Sequence, residues 1–220
     1  MTVDPIGRPG DYNMAADAAL LDRAIGSGGA FLRLYRWNPP TLSIGRNQQL
    51  DGDYGVPVVR RPTGGKAVWH EDELTYAVAA PISLFGSLRD AYCEIHTRLA
   101  TALRSLGIDA TLAPYRPVVR PSEGPTSCFA APVGGEILVA GRKLVGSAQV
   151  RRGDAFLQHG SILLNGQQPG APGGTTVAAV VGRPLPFGVV VAAIVRTWPD
   201  RLVRSDSPIV RPEFASAAQR

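Results

Sequence analysis

A chain of 220 residues with 45% hydrophobic and 19% charged side chains has the make-up of one folded domain, not of a disordered segment. The net charge of +5 favours an acidic partner, but no aromatic-interleaved basic patch points to nucleic acid, and no run approaches the roughly 18 apolar residues of a membrane span. Two cysteines, Cys93 and Cys128, make no disulfide framework, and the N-terminus lacks a basic region followed by an apolar core, so a cytoplasmic protein is expected.

In chain order, Asn13 to Ile25 is rich in Ala and Leu, with Met14, Asp17, Leu21 and Ile25 three or four apart. That spacing predicts a helix, with Asn13 as its N-cap and Gly26-Ser-Gly-Gly as its end. Phe31 to Trp37 alternates as a strand, Asn38-Pro-Pro40 breaks it, and Thr41 to Arg46 reads as the returning strand or its exit. Val56 to Val59 is a short strand leading into Arg60-Arg-Pro-Thr-Gly-Gly-Lys66, and Leu74 to Ala79 is another. Leu88, Tyr92, Ile95, Leu99, Leu103 and Leu106 follow spacings of three or four and predict a helix closed by Gly107. Ile108 to Leu112 reads as a strand and Tyr115 to Ser127 as a Pro- and Gly-rich loop. Glu136 to Ala140, Lys143 to Val150 and Ala155 to Leu164 predict a β-meander. Gly166 to Gly174 is loop-like, Pro186 to Trp198 is a last helix, and the polar tail frays. Helices and strands mix without a βαβ repeat, so the expected class is α+β, with mixed, largely antiparallel sheets flanked by helices. Residues 1–220 are expected to form one domain, with 166–220 as a loop, a C-terminal helix and a tail.

The stretch Arg60 to Tyr76 carries the most chemistry. Pro62 forces a turn, and Gly64 and Gly65 permit close backbone approach. With Arg60, Arg61 and Lys66 beside them, the turn suits an anionic ligand, although a Gly-Gly turn alone also reads as a solvated hairpin. The three histidines, His70, His96 and His159, have no Cys or Asp at metal-ligand spacing, so no metal site is expected. His96 reads as a helix-surface residue and Cys93 as core filler.

The word Arg-Arg-Pro-Thr-Gly-Gly-x-Ala-Val-x-His-x-x-Glu-Leu-Thr-Tyr resembles the signature of the biotin/lipoate protein ligase superfamily. Its members attach or transfer lipoyl, octanoyl or biotinyl groups onto a lysine of a small acceptor domain. Asn13 to Leu21 resembles the superfamily's first helix, and Leu34 to Gln48 the strand pair lining the acyl pocket. Gly141-Arg-Lys-Leu-Val-Gly-Ser-Ala-Gln149 resembles the strand with the active-site lysine, and Leu157-Gln-His-Gly-Ser-Ile-Leu163 completes the set. The resemblance spans residues 11 to about 165.

Within the superfamily, Pro62-Thr63, Glu73-Leu-Thr-Tyr and Cys128-Phe129 are most similar to the cysteine octanoyltransferases that load the glycine cleavage H protein. Lys66 stands where that group has Arg, and the C-terminal part is shorter than that group's. The resemblance implies Cys128 as nucleophile and Lys143 as the group that polarises the acyl carbonyl, crowded by Arg60 and Lys66. It further implies Gly45, Arg46, Arg60, Arg61, Thr63, Gly64, Gly65, Lys66, His70, Gly146, Ser147 and His159 around the substrate. His70 and His159 also read as structural hydrogen-bonding residues. Leu42 to Gly45 and the Gly64-Gly65 turn would wall the slot for eight carbons.

The implied donor is octanoyl acyl carrier protein, and the implied acceptor is a lipoyl domain. Thioester to amide is downhill, so no cofactor is required. Two alternatives stay open. An ATP-dependent lipoate–protein ligase would need ATP and magnesium, with Arg60, Arg61 and Lys143 holding a lipoyl-adenylate; the chain ends before the accessory domain that such ligases often use. A non-catalytic binder of lipoyl domains is the second.

Overall fold

In the computed structural model, the described residues are 1–49, 52–115, 129, 134–166, 168–169 and 173–198. The chain runs β1 (Thr2–Arg8), α1 (Gly10–Ser27), β2 (Phe31–Trp37), β3 (Thr41–Ile44), β4 (Val58–Arg60), β5 (Val68–His70) and β6 (Glu73–Pro81). It continues through α2 (Leu88–Arg104), β7 (Thr111–Leu112), β8 (Ile137–Val139), β9 (Arg142–Arg152), β10 (Ala155–Leu163), α3 (Val177–Val181) and α4 (Phe187–Arg196). A seven-stranded sheet has the order β1-β2-β6-β10-β9-β8-β7, and β4-β3-β5 form a second sheet of three strands. Only the pairs β1–β2 and β3–β4 are parallel; the other described pairs are antiparallel. This is the expected α+β class.

The large sheet is covered on both faces, and the two-residue period of its strands sorts the side chains. Leu74, Tyr76, Val78 and Ala80 of β6 join Leu32 and Leu34 of β2 in the core under α2 and α4. Ala77 and Ala79, with Phe31, Tyr35 and Trp37, face the opposite core under α1. α2 starts at Ser87, whose Oγ accepts from the Asp90 amide, and it buries Ile95, Leu99 and Leu103 completely. Each of those side chains contributes roughly 1.5–3 kcal/mol relative to exposure.

Several local expectations are corrected. α1 begins at Gly10, with Pro9 in the capping position, and Asn13 is not its cap. Asn13 is buried instead: its Nδ2 donates to the carbonyls of Arg8 and Arg36, and its Oδ1 accepts from Arg33. β1 was not foreseen, because an edge strand paired on one side needs no regular alternation and Pro5 masks it. The strand expected over Ile108 to Leu112 shrinks to its last two residues, since Ile108 and Ala110 are drawn into the core. The meander forms as expected, and the last helix forms over a shorter span. Most of the 115–127 loop, Cys128 and the tail lie outside the described residues.

One irregularity matters for chemistry. Against β8, Ile137 pairs with Val145 but Leu138 pairs with Lys143, so β9 carries one extra residue there. Leu144 and Val145 consequently both enter the α2-side core. This bulge breaks the alternation and puts Lys143 on the same side of β9 as Gly146, next to Phe129.

Candidate active site

β3 lies between β4 and β5, so the Arg61 to Ala67 connection is no hairpin; it crosses over the end of β3. The Arg61 amide donates to the Ile44 carbonyl and the Arg46 amide to the Thr63 carbonyl. A side chain at Gly45 would place its Cβ 2.0 Å from the Gly65 carbonyl oxygen, so only glycine lets the loop approach. Both arginines organise this crossing. Arg60 Nη1 donates to the carbonyls of Gly45, Arg46 and Gln48. Arg61 is buried, and its guanidinium reaches the Ser43, Gly64 and Lys66 carbonyls. The structure thus uses as loop staples two residues that sequence reasoning assigned to an anionic ligand.

Beneath the loop is a partly open cleft of about 340 Å³. Met14, Tyr35, Trp37 and Val68 give it apolar walls, and Gly146, Ala148 and Gly160 form a bare strand surface. Of the wall expected from Leu42 to Gly45, it is Ser43 that reaches the cleft; Gly64 and Gly65 do not line it. Arg61, His70, Gly146, Ser147 and His159 do, whereas Gly45, Arg46, Arg60, Thr63 and Lys66 are not among the residues that line it.

The two cleft histidines are tied on both nitrogens. His159 Nδ1 is 2.7 Å from Asp17 Oδ2, a carboxylate that also pairs with Arg33 and accepts from the Tyr35 hydroxyl. Nδ1 therefore carries the proton, and Nε2 faces Thr63 Oγ1 at 2.7 Å. Burial, reinforced by Asp17, holds the Tyr35 phenol well above its ordinary range, so it remains a donor. His70 bridges Glu73 Oε1 and Ser43 Oγ, each at 2.7 Å, and stacks on Trp37. Thr63 is fully buried and holds the loop to β10 through His159.

Lys143 is buried: it is 1% exposed, and its Nζ sits 2.7 Å from Glu136 Oε1. The charge set against it is a carboxylate, and Arg60 Nη1 is engaged at the Gly45 turn. Its Nζ lies 5.2 Å from the centre of the Phe129 ring, which packs with Val68 and Leu163. A Cβ at Gly146 would meet that ring at 3.0 Å, so the glycine admits Phe129 to the cleft's edge.

Ser147 lines the cleft, but its hydroxyl is engaged elsewhere, 2.7 Å from Tyr76 OH and 2.8 Å from His96 Nε2. His96 is fully buried, contrary to its reading as a surface residue, with Nδ1 donating to the Gly135 carbonyl at 2.7 Å. Cys93 is half-buried on α2 beside Tyr115 and fills no core.

Burial lowers the His96 pKa from 6.5 to about 4, with Lys143 adding to the shift and the Gly135 bond opposing it. Between those values the unfolded chain binds a proton that the folded one excludes, so stability falls as pH drops through that window. The loss should be about 3 kcal/mol once pH is below 4. Denaturant titrations from pH 7 to pH 4 should show this slope in the wild type and a flatter one in His96→Asn. Parallel slopes in the two proteins would overturn it.

Among the described residues, no group of three or more His, Cys, Asp or Glu is placed to hold a metal ion. No helix among them is long and apolar enough to cross a membrane. Residues 9–183 match the model of the lipoyl protein ligase A/B catalytic domain. The chain belongs to this family. Among its relatives, octanoyltransferase LipM of Carboxydothermus hydrogenoformans is 45% identical over 174 residues, covering 74% of this chain and 64% of that protein. The octanoyltransferase LipM of Staphylococcus aureus is 42% identical over 168 residues, covering 69% and 61%. The chain thus spans a little under two thirds of the length of these relatives. A crystal structure of lipoate-protein ligase A bound with ATP superposes with a TM-score of 0.77 at 22% identity, over 99% of this chain and 92% of that one. At that identity the likeness is one of fold.

Sequence reasoning missed Glu136, Asp17 and His96 as site residues. Glu136 and Lys143 flank the Ala140-Gly141 turn with opposite charges, a signal of cross-strand pairing. His96 lies four residues after Tyr92 and three before Leu99, on the apolar stripe of α2.

Proposed function

We propose that this chain is an octanoyltransferase of lipoate assembly. Cys128 as thiolate attacks the octanoyl thioester carried by acyl carrier protein, forming an acyl-enzyme and releasing the carrier thiol. The amine of a lipoyl-domain lysine then attacks the new thioester, giving the amide and returning the thiol. The observation that carries this reading is Phe129, the residue after Cys128 in the chain, buried between Val68 and Leu163 with Lys143 Nζ above its ring. Lys143 is then the donor to the oxyanion that develops in both steps, and Glu136 holds it there. The cleft under Trp37 and Val68 takes the acyl chain, and at about 0.8 kcal/mol per buried methylene it reads chain length to within one or two carbons. The octanoyltransferase name of relatives at 42–45% identity supports the assignment.

The test is incubation with octanoyl acyl carrier protein and an apo lipoyl domain, with and without ATP. Octanoylation of the domain without ATP is expected, together with a gain of one octanoyl mass on Cys128. Transfer from free octanoate or lipoate that requires ATP would replace this reading by the ligase.

A further inference from the structure

The polar cluster on the α2 side of the large sheet lies across the strands from the apolar cleft. At its centre is His96, flanked by the Tyr92 ring at 4.2 Å and with no exposed surface. Its two nitrogens reach two different chain segments. Nδ1 donates to the carbonyl of Gly135, and Nε2 faces Ser147 Oγ. Gly135 directly precedes Glu136, and Ser147 lies four residues beyond Lys143 on β9. One imidazole therefore ties together the segments that supply both halves of the Lys143–Glu136 ion pair.

Hydrogen-bond counting fixes the direction of this tie. A carbonyl only accepts, so Nδ1 carries the proton, and in the neutral ring Nε2 must accept. The 2.7 Å contact between Tyr76 and Ser147 needs a proton from one of them, and Nε2 needs one from the other. Gln158 Nε2 donates to Tyr76 OH from the third side, and Gln149 Nε2 donates to Gln158 Oε1. In either arrangement both hydroxyl protons stay inside the network, which leaves it rigid. On the other flank of Glu136, the Ala113 amide donates to the Glu136 carbonyl, and the Gly135 amide donates to the Ala113 carbonyl. Ala113 and His96 thus clamp the backbone of Glu136 from two directions.

We infer that His96 is a positioning residue: from the far face of the sheet it sets the geometry of the Lys143–Glu136 pair without touching the reacting atoms. The inference rests on the octanoyltransferase reading, in which Lys143 acts on the acyl carbonyl.

The test is a double-mutant cycle read by single-turnover transfer of octanoyl from Cys128 to an apo lipoyl domain. His96→Leu should slow transfer about tenfold or more in the wild-type background, but by less than about twofold when Lys143 is already Ala. His96→Asn, which keeps a donor toward the Gly135 carbonyl, should stay within about threefold of wild type. A purely structural role predicts the same loss in both backgrounds and no rescue by Asn. If His96→Leu does not give a cooperative melt, Ser147→Ala replaces it in the same cycle, with a loss expected only when Lys143 is present. Equal losses with and without Lys143, for whichever variant folds, overturn the inference alone. Absence of an octanoyl adduct on Cys128 in the wild type overturns the inference and the octanoyltransferase reading together.

Discussion

Cys128→Ala is expected to abolish ATP-independent octanoyl transfer, while Cys93→Ser leaves it largely intact. Cys93 lies on α2 with its Sγ 3.2 Å from the Tyr115 hydroxyl, away from the residues that line the cleft. Cys128 is followed in the chain by Phe129, the buried residue against which Lys143 rests. An ordinary thiol with a pKa near 8.5 is only about one tenth ionised near pH 7.5, so a nucleophilic cysteine needs a nearby cation. Lys143 is the cation proposed for that role. Intact-mass measurement after exposure to octanoyl acyl carrier protein separates the outcomes: the wild type and Cys93→Ser gain one octanoyl group, and Cys128→Ala gains none. Full transfer by Cys128→Ala without ATP would remove the covalent mechanism.

The fold was legible where periodicity and covering agree. The apolar stripe of α2 and the meander from β8 to β10 follow from local signals, helical spacing in the one and extended runs separated by Gly-containing turns in the other. Less legible were the features decided by contacts distant in sequence. The direction in which Lys143 points depends on the bulge at Leu144, which leaves the spacing of β9 in sequence unchanged. The stapling role of the arginines of the glycine loop has no local signal, because nothing nearby in sequence reveals that Ile44, Gly45 and Arg46 pass beneath the loop with carbonyls to satisfy. Asn13 carried a capping signal, but its Oδ1, the atom a cap would use, accepts from Arg33 instead, while its amide donates to the carbonyls of Arg8 and Arg36. His96 shows the opposite failure. A polar residue on an apolar stripe was read as exposed, although its position between Tyr92 and Leu99 required burial and therefore partners for both nitrogens.

Replacing Lys143 should slow transfer in the order wild type, Arg, Ala, with attack by the lipoyl-domain lysine hurt more than formation of the acyl-enzyme. Both half-reactions build negative charge on the acyl oxygen, and loss of a comparable oxyanion donor costs about 3–4 kcal/mol, or a hundredfold to a thousandfold in rate. The second half-reaction carries a further demand. An ordinary lysine amine titrates near pH 10.4, so the incoming lysine arrives mostly protonated and must lose a proton before or during attack. In the proposed role beside the carbonyl, Lys143 would disfavour the arriving ammonium by like-charge repulsion, and Glu136 offers a carboxylate within hydrogen-bonding reach of Lys143. Arg at 143 keeps the charge, but its planar guanidinium has to fit a site where the lysine is 1% exposed. Ala removes the donor and leaves the buried Glu136 carboxylate without its cation, a change that costs roughly 3–5 kcal/mol when an intact pair is broken this way. Stability must therefore be measured alongside rate. Lys143→Ala combined with Glu136→Gln removes the stranded charge and should recover much of the stability while leaving transfer slow. If that double variant, or Lys143→Ala itself, transfers octanoate at the wild-type rate in both half-reactions, the pair is only a buried ion pair of the fold.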